Sequence, residues 1–159
     1  MRLLVCLLAV FPVAAAAQDL PFEPDRIEAC LEAGEAEQCI GRAAEHCAST
    51  PDGSTTVGLG FCYGQERDWW DARLNRVYGD LMDQEKAIDD EMAEIGSRAP
   101  KRAPALLSMQ RAWIVFRDAA CSYEYTQWGG GTGGGPANAA CLMKLTGQQT
   151  LLLESNLQQ

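Results

Sequence analysis

The sequence predicts a small all-α protein, an antiparallel helical bundle stapled by disulfides. Three observations carry that expectation. Apolar residues recur at three- and four-residue spacings through long segments. No segment shows sustained two-residue alternation, so no strand is expected. Six cysteines remain once an N-terminal leader is set aside.

The leader is residues 1–17. Arg2 supplies a positive start, Leu3 to Val13 an apolar run, and Ala14 to Ala17 small residues suited to a signal peptidase. The run is too short for a bilayer, which needs about 20 residues. Cleavage near Ala17 leaves Gln18 first. Cys6 lies inside the apolar run, away from its end, so no lipid anchor is expected there. No later stretch is apolar enough to cross a membrane, and the mature protein is expected in the periplasm or outside the cell.

Two short helices, Asp25 to Leu31 and Ala36 to Ala48, follow, broken at Gly34, with Asp25 as N-cap after Pro24. They make residues 18–48 an N-terminal helical hairpin extension, which a Cys30–Cys39 bridge would close. Ser49 to Ser54 is a turn-rich loop with Pro51 and Gly53 as punctuation. A bridge from Cys47 to Cys62 would close it.

From about Thr56 to Ile95 one long helix is expected, with a ragged start at Gly58 and Gly60. Trp70, Leu74, Val77 and Leu81 share one face, and Asp83, Lys86, Asp90 and Glu94 the opposite one. Gly96 to Pro104 breaks it and carries the basic pair Lys101-Arg102. A second long helix runs from Pro104, placed at the first helical position, to Gln127. Its expected buried seam is Leu106, Met109, Trp113, Phe116, Ala120 and Tyr123. The glycine-rich loop Gly129 to Gly135 precedes a last helix from Pro136 to Leu157, striped by Leu142, Leu145 and Leu152. A Cys121–Cys141 bridge would tie the last two helices across the loop.

Charge and cysteine content bound the chemistry. Without Arg2 the 13 basic side chains become 12 against 22 acidic, a formal charge of −10 over about 140 residues. That sign argues against nucleic acid and anionic membranes and suits a cationic protein partner. The six mature cysteines, Cys30, Cys39, Cys47, Cys62, Cys121 and Cys141, read as three disulfides, with fifteen possible pairings. Zinc is disfavoured, because no two cysteines are two to four residues apart and the single histidine, His46, directly precedes Cys47.

Catalytic patterns are absent. Gly129, Gly131 and Gly134 spell G-x-G-x-x-G, but after a helix, where a dinucleotide site needs a strand. The carboxylates Glu66, Asp68, Asp71, Glu85, Asp89, Asp90, Glu91 and Glu94 read as a solvated helical face. Nothing marks a cleft that would hold two of them for glycoside hydrolysis, and no calcium loop is present. A Ser-His-Asp triad would have to use His46, and no G-x-S-x-G or C-x-x-C exists. No catalytic residue, metal or cofactor is expected. The densest cluster, Gln110 to Cys121, reads as an Arg117–Glu124 or Arg117–Asp71 pair bordering a Trp113/Phe116 core; a Trp and Arg binding hot spot is the functional alternative.

Two blocks resemble a known family. The first is Cys62-x3-Glu66-x3-Trp70-Asp71-x2-Leu74-Asn75-x2-Tyr78-x2-Leu81. The second is Gln110-Arg111-Ala112-Trp113-x2-Phe116-Arg117-Asp118-x2-Cys121, continued by Gly130-Gly131-Thr132 and Cys141-Leu142-x3-Thr146. In order and spacing, from about Cys47 to Leu157, this resembles the N-terminal domain of the LprI-type lysozyme-inhibitor family, making residues 49–159 an LprI-like helical domain. The resemblance implies secretion, an α-helical fold, the bridges Cys121–Cys141 and Cys47–Cys62, and inhibition of lysozyme. The chain departs from the family in lacking a lipoprotein's lipidated cysteine and in carrying the extra pair Cys30 and Cys39.

The block residues, Glu124 among them, read as structural. The expected function is therefore direct binding and inhibition of a lysozyme-type muramidase, with a basic lysozyme as partner. Lys101 and Arg102, or Trp128 with Gly130, Gly131 and Thr132, are the candidate contact elements. The alternative is an envelope-stress or structural binding module that leaves lysozyme alone.

Overall fold

The computed structural model describes residues 20–34 and 36–157; the expected leader lies outside the described residues. The described chain is all-helical and carries no strand. Its elements are α1 (Asp25–Glu32), a 3-10 turn (Ala36–Cys39), α2 (Arg42–Ala48), α3 (Thr56–Glu94), α4 (Arg102–Thr126) and α5 (Gly134–Leu157).

α3 is the spine. Its 39 residues span about 58 Å at 1.5 Å per residue. Thr55 caps its first turn, with its hydroxyl accepting from the Gly58 N–H at 3.0 Å, so the start is sharply defined where a ragged one is expected. Cys62, Glu66, Trp70, Leu74, Val77, Leu81, Glu85 and Asp89 are its buried stripe, stepping by three and four. α4 returns antiparallel to α3, and α5 returns antiparallel to α4, so α3 and α5 run parallel. Arg73 Nε meets Glu154 Oε1 at 2.6 Å across that pair.

The stripe on α3 passes through two apolar clusters. In the first, Ile27, Cys39, Ala43, Ala44 and Cys47 pack with Cys62 and Trp70 of α3 and Met143 of α5. The extension therefore shares its core with the long helices. In the second, Leu74, Val77 and Leu81 pack with Leu106 and Leu153, edged by Tyr78, Trp113 and Leu157. Three disulfides fasten this frame: Cys30–Cys39, Cys47–Cys62 and Cys121–Cys141, with sequence separations of 9, 15 and 20. Loops of this size contribute about 3 kcal/mol each when closed.

Between the extension and α3 lies Glu66, fully buried. Its Oε1 accepts from the Gly41 N–H at 2.5 Å and from Trp70 Nε1 at 3.0 Å; its Oε2 accepts from the Ala44 N–H at 2.7 Å. Those two backbone groups belong to the first turn of α2, whose own N-cap offers no side chain because it is Gly41. Gly41 stands at φ +102°, a conformation L side chains rarely adopt, and this residue turns the chain from the 3-10 segment into α2. A carboxylate from one helix thus caps another.

Several expectations are corrected. The expected helix Ala36 to Ala48 is two pieces, because Gly41 breaks it. Asp25 is the first helical residue of α1, with Pro24 at the cap and no side-chain cap bond. α4 begins at Arg102, which puts Pro104 at its third position, where a missing N–H is equally harmless. The seam of α4 is also rotated. Ala103, Leu106 and Cys121 are buried and Gln110, Trp113 and Arg117 half-buried, whereas Phe116 is 60% and Tyr123 66% exposed and Met109 sits at the margin, its sulfur accepting from Gln149 Nε2 of α5. In α5 the buried positions are Gly134, Met143, Thr146, Gly147, Gln149, Thr150 and Leu153, and Leu152 is exposed.

Replacing Glu66 with glutamine presents an amide N–H₂ to at least one backbone donor that now has a carboxylate oxygen. Loss of that buried, charge-assisted acceptor should destabilise the oxidised protein by about 2–3 kcal/mol. Urea unfolding followed by circular dichroism measures it; a change under about 0.5 kcal/mol would show that the α2 cap is not a stabilising contact.

Candidate functional site

The family-like block residues separate into two groups in space. Glu66 and Trp70 sit at the joint with the extension. Asp71 accepts from Asn75 Nδ2 at 3.0 Å on the exposed side of α3, and Tyr78 edges the second core cluster. Gln110 Oε1 accepts from Gln149 Nε2 at 2.9 Å between α4 and α5. These contacts hold helices in register.

Arg117 takes neither expected partner. It pairs with its neighbour Asp118, with Nη2 2.8 Å from Oδ1, and its guanidinium lies 4.9 Å from the centre of the Trp113 ring. Asp71 is half-buried and bonded to Asn75, and the exposed Glu124 borders a groove with Lys144 and Leu145 of α5. Arg111 is exposed on α4. The outer side of α4 exposes Val115 (70%) with Phe116 and Tyr123, on a helix whose other side is packed.

The basic pair before α4 is engaged within the chain. Lys101 Nζ donates to the Asp89 carbonyl at 2.8 Å. The Asp89 carboxylate accepts from the Arg102 N–H at 2.8 Å and the Ala103 N–H at 3.0 Å, and Arg102 Nε stands 2.7 Å from Glu85 Oε2. The Arg102 N–H, assisted by the Ala103 N–H and the cations Lys101 and Arg102, holds the Asp89 carboxyl below the ordinary carboxylate range, against the opposing effect of burial. The expectation that the α3 acids form a solvated face is therefore corrected for Glu66 and Asp89, buried against N–H donors, and for Glu85, buried beside the Arg102 guanidinium as an ion pair. Apart from Trp70, four residues after Glu66, their partners come from other segments of the chain, so no local pattern in the sequence marks them.

The glycine loop is packed at one end and open at the other. A Cβ on Gly133 would lie 2.2 Å from the Trp128 ring, so the indole rests directly on that glycine. Gly129 and Gly130 take φ of +55° and +85°, and Gly130, Gly131 and Thr132 are exposed with Trp128 beside them. Trp128, Gly133, Pro136, Ala137 and Ala140 form a shallow apolar pocket with Thr56, Leu59 and Tyr63 of α3.

Tyr63 and Ala140 also line a larger open groove of about 550 Å³. Its walls are Glu37, Gln38, Ile40, Gly41 and Glu45 of the extension and Met143, Lys144 and Gln148 of α5. Sequence reading missed this groove, because three segments distant in sequence build it. Among the described residues no cluster of three or more histidine, cysteine, aspartate or glutamate side chains is arranged to hold a metal, and no helix is long and apolar enough to cross a membrane.

Residues 47–153 match the sequence model of a family described as Lysozyme inhibitor LprI. An uncharacterized protein of Rhizobium meliloti (strain 1021) is 31% identical over 98 residues, which is 62% of this chain and 70% of its own length. No solved structure matches.

The Asp89 cap gives a pH-dependent prediction. Its carboxyl binds a proton more weakly folded than unfolded, so its stabilising contribution is complete above the ordinary aspartate value of about 3.9 and is lost as pH falls through the lowered folded value. Asp89→Asn should therefore lower the unfolding temperature at pH 7, and the gap to the parent should close as the pH is taken well below 3.9. A gap that stays constant with pH would contradict this role.

Proposed function

The chain belongs to the LprI lysozyme-inhibitor family, and from that premise we propose that it is an exported inhibitor of lysozyme-type muramidases acting by direct binding. The observation that carries the reading is the family match across residues 47–153, which takes in α3, α4 and nearly all of α5. Three disulfides suit an oxidising compartment outside the cytoplasm, where a lysozyme would be met. The acidic surface would draw a basic lysozyme in by long-range attraction.

The glycine loop is the favoured contact element. Gly130 and Gly131 offer exposed backbone without side-chain bulk, although the Gly131 N–H is bound to the Trp128 carbonyl; Thr132 adds a hydroxyl, and Trp128 beside them supplies a rigid aromatic anchor. A backbone edge of this kind suits an enzyme cleft lined with carboxylates, since it brings donors and no repelling charge. Lys101 and Arg102 are the weaker candidates because Asp89 and Glu85 already engage them. The exposed apolar face of α4 favours one second reading, an envelope module that docks another protein there.

The test is lysis of a cell-wall substrate by lysozymes of several types in the presence of the oxidised domain. Stoichiometric inhibition is expected, weakening as salt rises through about 0.1 M, where charges more than about 10 Å apart are screened. Shortening Gly130 to Thr132 or replacing Trp128 with alanine should reduce it. Full activity of every lysozyme type would reject the inhibitor reading and favour the envelope module.

A further inference from the structure

The negative charge of this protein is unevenly placed. Residues 18–48, which lie almost wholly outside the family match, hold eight acidic side chains against two arginines, a net −6 of the mature chain's −10. Residues 47–153 hold thirteen acidic against ten basic side chains, a net −3. The field that would attract a cationic protein therefore originates mainly in the extension.

The extension also supplies one wall of the 550 Å³ groove. Glu37 and Glu45 line it, both exposed, and neither forms an ion pair with a described residue. Glu45 leans over the groove's inner edge: a Cβ on Gly41 would lie 3.4 Å from its Oε1 and 3.7 Å from the Met143 methyl. The floor is apolar, with Met143 buried and Ile40 and Tyr63 half-buried, and the Gln38 and Gln148 amides stand at the sides. Lys144 on the far wall is the one cation lining it among the described residues. Two free carboxylates above an apolar floor suit the shape of a long cationic side chain, whose methylenes pack below while its guanidinium or ammonium meets the acids. The groove is held in a fixed form, because Glu66 caps α2 from below and Ile40 seats against Gly147 of α5.

We propose that the N-terminal extension is this chain's own recognition element, and that its groove with α5 receives an arginine or lysine side chain of the basic partner protein. This rests on the inhibitor reading and names the part of the surface that gives it selectivity. The groove joins the Trp128 pocket through Tyr63 and Ala140, so loop and groove present one continuous face. Partner contact thus extends beyond the segment shared with the family.

The experiment compares three oxidised proteins for binding to, and inhibition of, a basic lysozyme: the parent, Glu37→Gln/Glu45→Gln, and Asp83→Asn/Asp90→Asn. The last pair removes the same charge from the exposed face of α3, away from the groove. The groove variant is expected to bind about tenfold more weakly, chiefly through faster dissociation, and the control to slow association only modestly. Circular dichroism should be identical for all three, since both exposed pairs can be neutralised without touching the core. Equal weakening in the two variants, or none in either, overturns the groove while leaving inhibition by the parent intact. A parent that binds no lysozyme overturns the inhibitor reading and this proposal together. Saturable binding of chitotriose that perturbs Tyr63, abolished in the groove variant, would make the groove a sugar site and overturn the proposal by itself.

Discussion

A buried carboxylate paired with no cation among the described residues is the point on which this fold turns. Glu66 receives three N–H donors, two from the first turn of α2 and one from the Trp70 indole, and so has a hydrogen-bonded shell in place of water. The arrangement is mutual. α2 is a seven-residue helix with a glycine at its cap, too short to persist unaided, and the carboxylate satisfies the donors that its own sequence cannot. The Trp70 ring, fixed by the same acid, then forms the floor on which the extension packs. One side chain on α3 fixes the position of the extension, and through it the groove wall.

Asp89 repeats the device 23 residues further along the same stripe. There the capped helix is α4, and the donors are Arg102 and Ala103. α3 therefore organises both of its neighbours in the chain by the same chemistry, a carboxylate on the inward face directed at a helix start, where N–H groups and the helix dipole favour negative charge. Between these two caps lie apolar contacts, Leu74 to Leu81, that tolerate small changes of register. The caps do not, because a hydrogen bond fails within an ångström of displacement.

Much of this was legible in the residues. The face Trp70, Leu74, Val77 and Leu81, the break at Gly96 to Pro104 and the three-helix order follow from spacing and from proline and glycine. The six cysteines pair as adjacent couples, including the two pairs that the family resemblance implied. What could not be read was direction. On α4 two apolar stripes compete, and the one rich in Met109, Phe116 and Tyr123 lost to Leu106, Gln110, Trp113 and Arg117. Gln149 offers Gln110 a partner, and Arg117 covers the Trp113 ring, so polar residues were drawn inward by partners supplied from α5 or from the same helix. The buried acids escaped for a similar reason, since all their donors except the Trp70 indole lie 13 or more residues away, and periodicity carries no information about those.

The pairing of the disulfides bears on how the chain acquires its shape. Cys30 joins Cys39, Cys47 joins Cys62, and Cys121 joins Cys141, so each cysteine bonds to the next one in line. A chain threaded N-terminus first into an oxidising space would expose these six one after another. An oxidant that joined each new thiol to the nearest unpaired one before it would arrive at this set by default, with no shuffling of mispaired bonds. Each covalent loop would then be complete before the following pair emerged, and the long-range helix contacts would form on segments whose ends were already fixed.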